Sequence, residues 1–186
     1  MIAVVVRHAK VDLKWSFFQT SAMYARKNEE YDRAPVLPVT VRLPGADFKR
    51  VYISALPRTG ATARQVLGRR RMTRTALINE VPGRAAFDAD LRLPGVVWEA
   101  MGRTQWFFNV RRQPETRRET AHRAERFVKR LLRRDEDCIV FSHGFFMITL
   151  IHVMKKHGFV PDHTRLNYRN GECVVLIKKD AGSGRH

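Results

Sequence analysis

Short runs of apolar residues recur along this chain, and longer stretches with helical spacing separate them. Residues 2–6 form an unbroken run rich in β-branched side chains, which is typical of a strand covered on both faces of a sheet. Further strands are predicted at residues 50–54, 75–79, 137–142 and 173–178, and helices at residues 21–32, 58–67, 115–134 and 145–156. This alternation predicts an α/β fold, a three-layer αβα sandwich around a mostly parallel central sheet.

The chain of 186 residues is long enough for one folded domain with a core, which we expect to cover residues 1–180. Residues 181–186 are predicted to form a flexible tail. Two stretches, at about residues 11–44 and 82–114, contain prolines and fit the alternation poorly. Insertions of this length between core elements often form binding loops, so we expect them to shape specificity.

The charge of the chain is strongly unbalanced, with 35 Lys and Arg residues against 18 Asp and Glu, a formal net charge of +17. The positive electrostatic field of such a chain attracts phosphorylated molecules, nucleic acids and other polyanions, and it does not indicate which of these the protein binds. Residues 117–134 form a predicted helix rich in arginine, either a solvated face or a nucleic-acid surface. No nucleic-acid motif accompanies the charge, so only weak, nonspecific nucleic-acid binding is expected.

The sequence offers no segment that indicates a membrane or a secretory signal. The longest apolar stretch, residues 139–154, is too short to span a bilayer. Cys138 and Cys173 lie in apolar contexts and are expected to be reduced core residues. The seven histidines lack metal-ligand spacing. We therefore expect a cytoplasmic protein with no membrane partner, no metal and no other cofactor.

Polar and charged residues follow four of the predicted strands. In a parallel sheet, ligands bind beyond the carboxyl ends of the strands, so these residues are expected to meet at one edge. Each motif alone is common, but all four in this order are rare. The motifs are Arg7-His8-Ala9, then Ser54 and Arg58 with Thr62-Ala63, then Asn79-Glu80, and finally Ser142-His143-Gly144.

This ordered set resembles the histidine phosphatase superfamily, whose fold is phosphoglycerate mutase-like. Its members open with a strand that ends in Arg-His-Gly, and their last motif is a strand that ends in Ser-His-Gly. Between these lie a Ser, an Arg followed by Thr-Ala, and an acidic residue. The resemblance covers residues 1 to about 150 in order. It implies a phosphoglycerate mutase-like sandwich and a metal-independent phosphatase.

The resemblance implies that His8 is a nucleophile that becomes a phosphohistidine, and that Arg7, Arg58 and His143 form a phosphate pocket. The residue types suit the chemistry. A neutral imidazole is a competent nucleophile near neutral pH, and we expect a backbone carbonyl to hold its second nitrogen. Arginine forks can grip phosphoryl oxygens in pairs.

Glu80 is the expected general acid, with Glu99 and Asp88 as the other candidates. The sequence also departs from the family pattern. Ala9 replaces the usual Gly, and Lys14 stands where many relatives have an Asn. Lys14 is expected either to grip phosphate by its charge or to point to solvent.

Hydrolysis of phosphomonoesters is the expected reaction, because relatives that act as mutases are usually longer. The alternatives are phosphoglycerate mutase-like phosphoryl transfer, or a basic regulatory protein that binds phosphate or nucleic acid on the same fold. The expected partner is an anionic phosphorylated substrate, either a small molecule or a phosphoprotein. The substrate itself and the oligomeric state are not determined by the sequence.

Overall fold

Residues 1–179, which the computed structural model describes, form eight β-strands, five α-helices and one 3-10 helix, so the predicted tail at residues 181–186 lies outside the described residues. The strands are β1 (Ile2–Arg7), β2 (Phe18–Gln19), β3 (Arg50–Ser54), β4 (Thr73–Thr75), β5 (Leu93–Pro94), β6 (Cys138–Ser142), β7 (Phe159–Pro161) and β8 (Cys173–Lys178). The α-helices are α1 (Ser21–Arg33), α2 (Pro57–Leu67), α3 (Gly95–Phe107), α4 (Arg117–Arg134) and α5 (Gly144–Lys156).

Six of these strands form one sheet in the order β4-β3-β6-β1-β8-β7. Strands β4, β3, β6 and β1 are parallel to one another, whereas β8 and β7 are antiparallel to their neighbours. The mostly parallel sheet predicted from the sequence is confirmed. Its parallel half places the carboxyl ends of β3, β6 and β1 at one edge.

Different helices cover the two faces of the sheet, because successive side chains of β1 point to opposite faces and those of residues 2–6 are all apolar. Ala3 and Val5 belong to the core that contains side chains of α4 and α5. Val4 and Val6 belong to the core on the other face, where Ala63 of α2 packs. Because successive side chains of a strand point to opposite faces, an unbroken apolar run is needed for a sheet covered on both sides. The predicted three-layer sandwich is confirmed.

Helix α4 shows how local side chains set the bounds of an element. Glu119 accepts a hydrogen bond from the Thr116 amide at 2.8 Å, and the Thr116 hydroxyl accepts one from the Glu119 amide at 3.3 Å. This reciprocal cap makes Arg117 the first helical residue. The helix ends where Asp135 adopts a left-handed conformation with φ of 46°.

The strand predicted at residues 75–79 is wrong. Strand β4 ends at Thr75, and a 3-10 helix (Ala76–Ile78) follows it. The Thr75 hydroxyl accepts a hydrogen bond from the Leu77 amide at 3.3 Å, and the Asn79 amide donates to the Ala76 carbonyl at 3.1 Å. These local bonds compete with strand pairing and turn the chain.

Helix α3 lies within the second insertion, where the sequence indicated only a long connection. Its interior glycine masked the helical pattern, since glycine disfavours helix interiors. Gly102 is nevertheless required there, because a Cβ atom at this position would lie 2.6 Å from the Arg84 carbonyl oxygen. Strand β7 was also not predicted, because it is only three residues long and includes a proline.

Both cysteines are free thiols, as predicted. Cys138 is buried in β6, and Cys173 is half-buried at the start of β8. None of the helices between Met1 and Lys179 combines the length and the apolar character needed to cross a membrane.

Candidate active site

His8 is the first residue beyond β1 and is almost completely buried, with 1% of its surface exposed. Its amide continues the pairing with β6 by donating to the Ser142 carbonyl at 3.0 Å. The imidazole Nδ1 lies 2.7 Å from the Ala9 carbonyl oxygen, so this nitrogen carries the ring proton. The backbone carbonyl expected from the sequence is therefore present, and it leaves the lone pair on Nε2, which faces Arg58.

Arg58 joins the two buried histidines. Its Nε atom lies 3.3 Å from His8 Nε2 and 3.1 Å from His143 Nδ1, and only 2% of the residue is exposed. The centroids of the two imidazole rings are 5.1 Å apart. The parallel sheet thus brings together three predicted site residues that are far apart in the sequence.

The last residue of β3, Ser54, contacts the His143 ring and fixes its position. His143 stands just before α5, and its Nε2 lies 2.8 Å from the Ser54 hydroxyl oxygen. Ser54 in turn lies 2.9 Å from the Thr59 hydroxyl and accepts a hydrogen bond from the Leu56 amide at 3.1 Å. This network explains the serine of the second motif, because it fixes the plane of the His143 ring and leaves Nδ1 facing Arg58.

Both imidazoles are neutral near pH 7. Burial is the main cause that lowers the pKa of His8 to about 3, and the Arg58 guanidinium is the next. The hydrogen bond to the Ala9 carbonyl opposes this shift, and Arg7 adds to it. Burial, followed by Arg58, also holds the pKa of His143 well below its ordinary value. A buried neutral imidazole beside arginines can act as a nucleophile.

Arg7 lines the same cleft and carries a free donor. Its Nη1 atom donates to the Tyr168 carbonyl and to Asn167 Oδ1, the latter at 3.4 Å. Its Nε atom is buried and has no hydrogen-bond partner within residues 1–179. A Cβ atom on Gly144 would lie 2.7 Å from this Nε, so the glycine of the last motif is needed to admit the guanidinium.

The loop after β1 is fixed by side chains from two other segments. The Thr62 hydroxyl accepts a hydrogen bond from the Ala9 amide at 2.9 Å and donates to the Arg58 carbonyl at 2.7 Å. Asn170 donates from its side chain to the His8 carbonyl at 3.0 Å. No sequence pattern indicates Asn170, because it follows no parallel strand and belongs to no motif.

Glu80 lies at the amino terminus of α5 and lines the cleft. Its Oε1 atom accepts hydrogen bonds from the Phe146 and Val81 amides, both at 2.9 Å, and its Oε2 atom accepts one from the Phe145 amide at 3.3 Å. The carboxylate therefore occupies the positive end of the helix that His143 precedes.

The other predicted residues make no hydrogen bond or ion pair with His8, Arg58 or His143 within the described residues. Glu99 lines the outer cleft and lies 3.7 Å from Arg103 Nε. Asp88 is outside the cleft lining, and a hydrogen bond from Arg112 lowers the pKa of its exposed carboxylate. Lys14 is exposed, does not line the cleft, and makes no hydrogen bond or ion pair within the described residues. The structure does not bring Lys14 or Asp88 to the site.

Two cleft residues from the first insertion were missed by the sequence analysis. Asp32 Oδ1 lies 2.7 Å from Arg58 Nη1, and the Tyr31 ring centroid lies 5.0 Å from the centre of the same guanidinium. The Trp15 ring lies 5.9 Å from that of Tyr31. Both residues lie on α1, whose docking over the sheet edge no local pattern reveals.

The cleft has a volume of about 1,070 Å³, at the upper end of the range for small-molecule sites. Both insertions contribute to its walls. The lining side chains include Trp15, Phe17, Tyr24, Tyr31 and Asp32 from the first insertion, and Arg84, Val96, Glu99 and Arg103 from the second. Within residues 1–179, no group of three or more His, Cys, Asp or Glu side chains is arranged to hold a metal ion.

Residues 33–183 match the family model described as the histidine phosphatase superfamily, branch 1. This match covers Arg58, Glu80 and His143 but begins after His8. No curated protein matches the chain.

Several solved phosphatases share the fold of this chain. An alpha-ribazole phosphatase from Shigella flexneri is 17% identical, with 94% of this chain and 89% of that chain covered and a TM-score of 0.54. A phosphoserine phosphatase from Entamoeba histolytica is 14% identical, with coverage of 95% and 90% and a TM-score of 0.54. A mycobacterial glucosyl-3-phosphoglycerate phosphatase is 13% identical, with coverage of 94% and 88% and a TM-score of 0.52.

Proposed function

Because this chain belongs to the histidine phosphatase superfamily, branch 1, we propose that it is a metal-independent phosphatase that hydrolyses phosphomonoesters through a phosphohistidine on His8. One observation carries the proposal. The His8 imidazole is neutral, its Nδ1 proton is held by the Ala9 carbonyl, and its Nε2 lone pair faces the Arg58 guanidinium. This is the state in which an imidazole attacks phosphorus.

In the first step, His8 Nε2 attacks the phosphorus atom in line with the ester oxygen, and the P–O bond to the leaving group breaks. Arg58 Nε exchanges its contacts with the two imidazoles for a phosphoryl oxygen, and the unpartnered Arg7 Nε donates to another. Once Arg58 has turned to the phosphoryl group, His143 can take the tautomer that is protonated on Nδ1, and its Nε2 then accepts a hydrogen bond from the Ser54 hydroxyl while Nδ1 donates to a phosphoryl oxygen. These groups stabilise the negative charge of the transferring group.

Glu80 supplies the proton that the departing oxygen needs and becomes a carboxylate. In the second step this carboxylate takes a proton from water, whose oxygen attacks phosphorus as the P–N bond breaks. The products are inorganic phosphate and free His8, so the proton returns to Glu80. Glu80 lines the cleft, whereas Asp88 does not. It contacts the turn that follows His143, whereas Glu99 pairs with Arg103. The helix amides favour its carboxylate form, so the negative charge of the bound phosphate must draw a proton onto Glu80 before it acts as an acid.

The proposed substrate is a phosphorylated small molecule or a phosphoprotein, with its phosphoryl group at His8 and its leaving group in the wide part of the cleft. The similar solved proteins include phosphatases of an alpha-ribazole ester, phosphoserine and a glucosyl-3-phosphoglycerate. Their variety agrees with a shared phosphoryl site and variable insertions. The cytoplasmic location stays a prediction.

The test is hydrolysis of para-nitrophenyl phosphate by the wild type and by His8→Ala, with His152→Ala as the matched control because His152 is exposed on α5. His8→Ala should lower kcat by at least about a thousandfold, whereas His152→Ala should retain activity. Activity should persist in EDTA, and an acid-labile phosphoenzyme should be trapped only when His8 is present. Wild-type hydrolysis by His8→Ala would refute the proposal.

The same assay separates hydrolysis from mutase-like transfer. Release of inorganic phosphate equal to the release of para-nitrophenol, with or without a phosphate acceptor, is the expected result for a phosphatase. Phosphate release that falls when 3-phosphoglycerate is added, with a phosphorylated acceptor in its place, would favour the mutase alternative.

A further inference from the structure

A second pocket lies at the amino-terminal ends of β3 and β4, whereas the candidate active site lies at the carboxyl ends of the parallel strands. It has a volume of about 460 Å³ and is lined by Arg50, Tyr52, Thr73, Arg130, Arg133 and Arg134. Arg50 and Thr73 begin β3 and β4, and Arg134 ends α4. Strand β3 spans five residues, so at about 3.3 Å per residue the two sites are separated by about 13 Å of strand.

The lining of this pocket carries unbalanced positive charge. Arg50 is paired, since its Nε atom lies 2.6 Å from Glu136 Oε2. The side chains of Arg130, Arg133 and Arg134 make no hydrogen bond or ion pair with any residue from 1 to 179. Arg134 is nevertheless, after Arg50, one of the charges that lower the pKa of Glu136. Arg133 and Arg134 are exposed, so water and salt screen part of the repulsion between the three guanidinium groups, and an anion between them would relieve the rest.

Tyr52 adds a hydroxyl donor at the pocket surface that has no partner among residues 1–179. The residue is 2% exposed, and its ring packs edge-on against Phe127 with the centroids 5.4 Å apart. Its side chain lines the pocket, and within residues 1–179 its hydroxyl has no hydrogen-bond partner. Burial raises the pKa of Tyr52, Cys138 and Glu136 add to the shift, and Arg134 and Arg50 oppose it. A protonated phenol aimed among arginines is suited to an anion.

The position of Arg133 and Arg134 in the last turn of α4 has a structural benefit, because cations stabilise the carbonyl end of a helix. That benefit does not account for Arg130, which lies one turn earlier, or for the unpartnered hydroxyl of Tyr52. All of these groups converge on one pocket of a size typical of small-molecule sites.

We propose that this pocket is a second anion site that binds an oligophosphate chain. The planar forks of Arg130, Arg133 and Arg134 can each hold phosphate oxygens in pairs, and the Tyr52 hydroxyl donates to a further oxygen. A chain with several negative charges matches the three unpaired cations better than a single phosphate does. The pocket shares no residue with the cleft that Arg7 and Arg58 line, so the inference does not rest on the proposed phosphatase activity.

The test is an amide NMR titration with inorganic tripolyphosphate, in which every protein carries His8→Ala so that the probe is not consumed. Shifts at Arg50 and Thr73 report the second pocket, whereas shifts at Ala9 and Gly144 report the candidate active site. Three proteins are compared with this background: Tyr52→Phe, the pair Arg130→Gln/Arg134→Gln, and the control pair Arg118→Gln/Arg126→Gln. The control arginines are exposed on the same helix and do not line the pocket.

Tyr52→Phe should weaken binding at Arg50 and Thr73 by about three- to tenfold, and Arg130→Gln/Arg134→Gln by at least about tenfold. The control pair should change it by less than about threefold, since neither guanidinium lines the pocket and exposed charges are screened by water and salt. Because the Tyr52 hydroxyl has no protein partner, Tyr52→Phe should remain folded. Absence of shifts at Arg50 and Thr73, or equal weakening by the two arginine pairs, would overturn the proposal.

Discussion

His8→Asn should make the stability of this protein less sensitive to acid. Asparagine can place an amide donor near the position of Nδ1, where the Ala9 carbonyl accepts it, but it has no group that takes up a proton near neutral pH. In the wild type, the pKa of His8 falls from its ordinary value of 6.5 to about 3 in the folded state, mainly because the ring is buried.

The folded-state pKa lies below the unfolded one, which sets the sign of the effect. The contribution of His8 to stability is present in full above pH 6.5 and is lost as the pH falls toward 3, because only the unfolded chain takes up the proton in that window. Between about pH 7 and about pH 4.5, this linkage removes about 2.5 kcal/mol from the free energy of unfolding. The carboxylates contribute to both proteins and cancel in the comparison, and His143 keeps most of its contribution because burial and Arg58, rather than His8, are the main causes of its lowered pKa.

The measurement is urea unfolding followed by tryptophan fluorescence at several pH values across this window, since Trp98 and Trp106 are buried. The free energy of unfolding should fall by about 2.5 kcal/mol less in His8→Asn than in the wild type. His152→Asn, at an exposed position of α5, is the control and should follow the wild type. If the free energy of unfolding fell with pH to the same extent in His8→Asn and in the wild type, His8 would take up its proton freely in the folded protein. That result would refute the buried, neutral imidazole.

Three further substitutions test the site, each with hydrolysis of phosphomonoesters as the readout. Gly144→Ala should lower kcat/KM by at least about tenfold, because the new methyl group displaces Arg7. Gly45→Ala is the control and should leave kcat/KM unchanged, because a Cβ atom there has nothing within 4 Å. Equal losses of kcat/KM in the two variants would contradict the displacement of Arg7. Asp32→Asn should lower KM by about two- to fivefold, because the half-exposed carboxylate competes with phosphate for Arg58; a raised KM would contradict the reasoning. Glu80→Gln should lower kcat by about a hundredfold for an alkyl phosphate but by much less for an aryl phosphate, whose leaving group needs no proton; equal losses would exclude the acid role.

The sequence was sufficient to predict a mostly parallel sheet covered on both faces and the meeting of its motifs, although not all of its strands. An unbroken apolar run such as residues 2–6 is stable only when helices cover both faces of a sheet, and parallel strands present their carboxyl ends at one edge. The proximity of the His8, Arg58 and His143 side chains follows from that arrangement of strands. Short-range spacing also set the start of α4, because a capping box acts within one turn.

The sequence did not reveal the contacts that depend on how separate elements dock. Asp32 reaches Arg58 only because α1 packs over the edge of the sheet, and Gly102 is needed only because the Arg84 carbonyl passes close by. The arginines of α4 also differ in their surroundings in a way that the sequence does not reveal. Arg123 is neutralised by Glu115, whereas Arg130 and Arg134 face a pocket with no partner between residues 1 and 179. Local sequence determines strands, caps and motif order because those forces act over a few residues, but the partner of each charged side chain is decided by packing between distant segments.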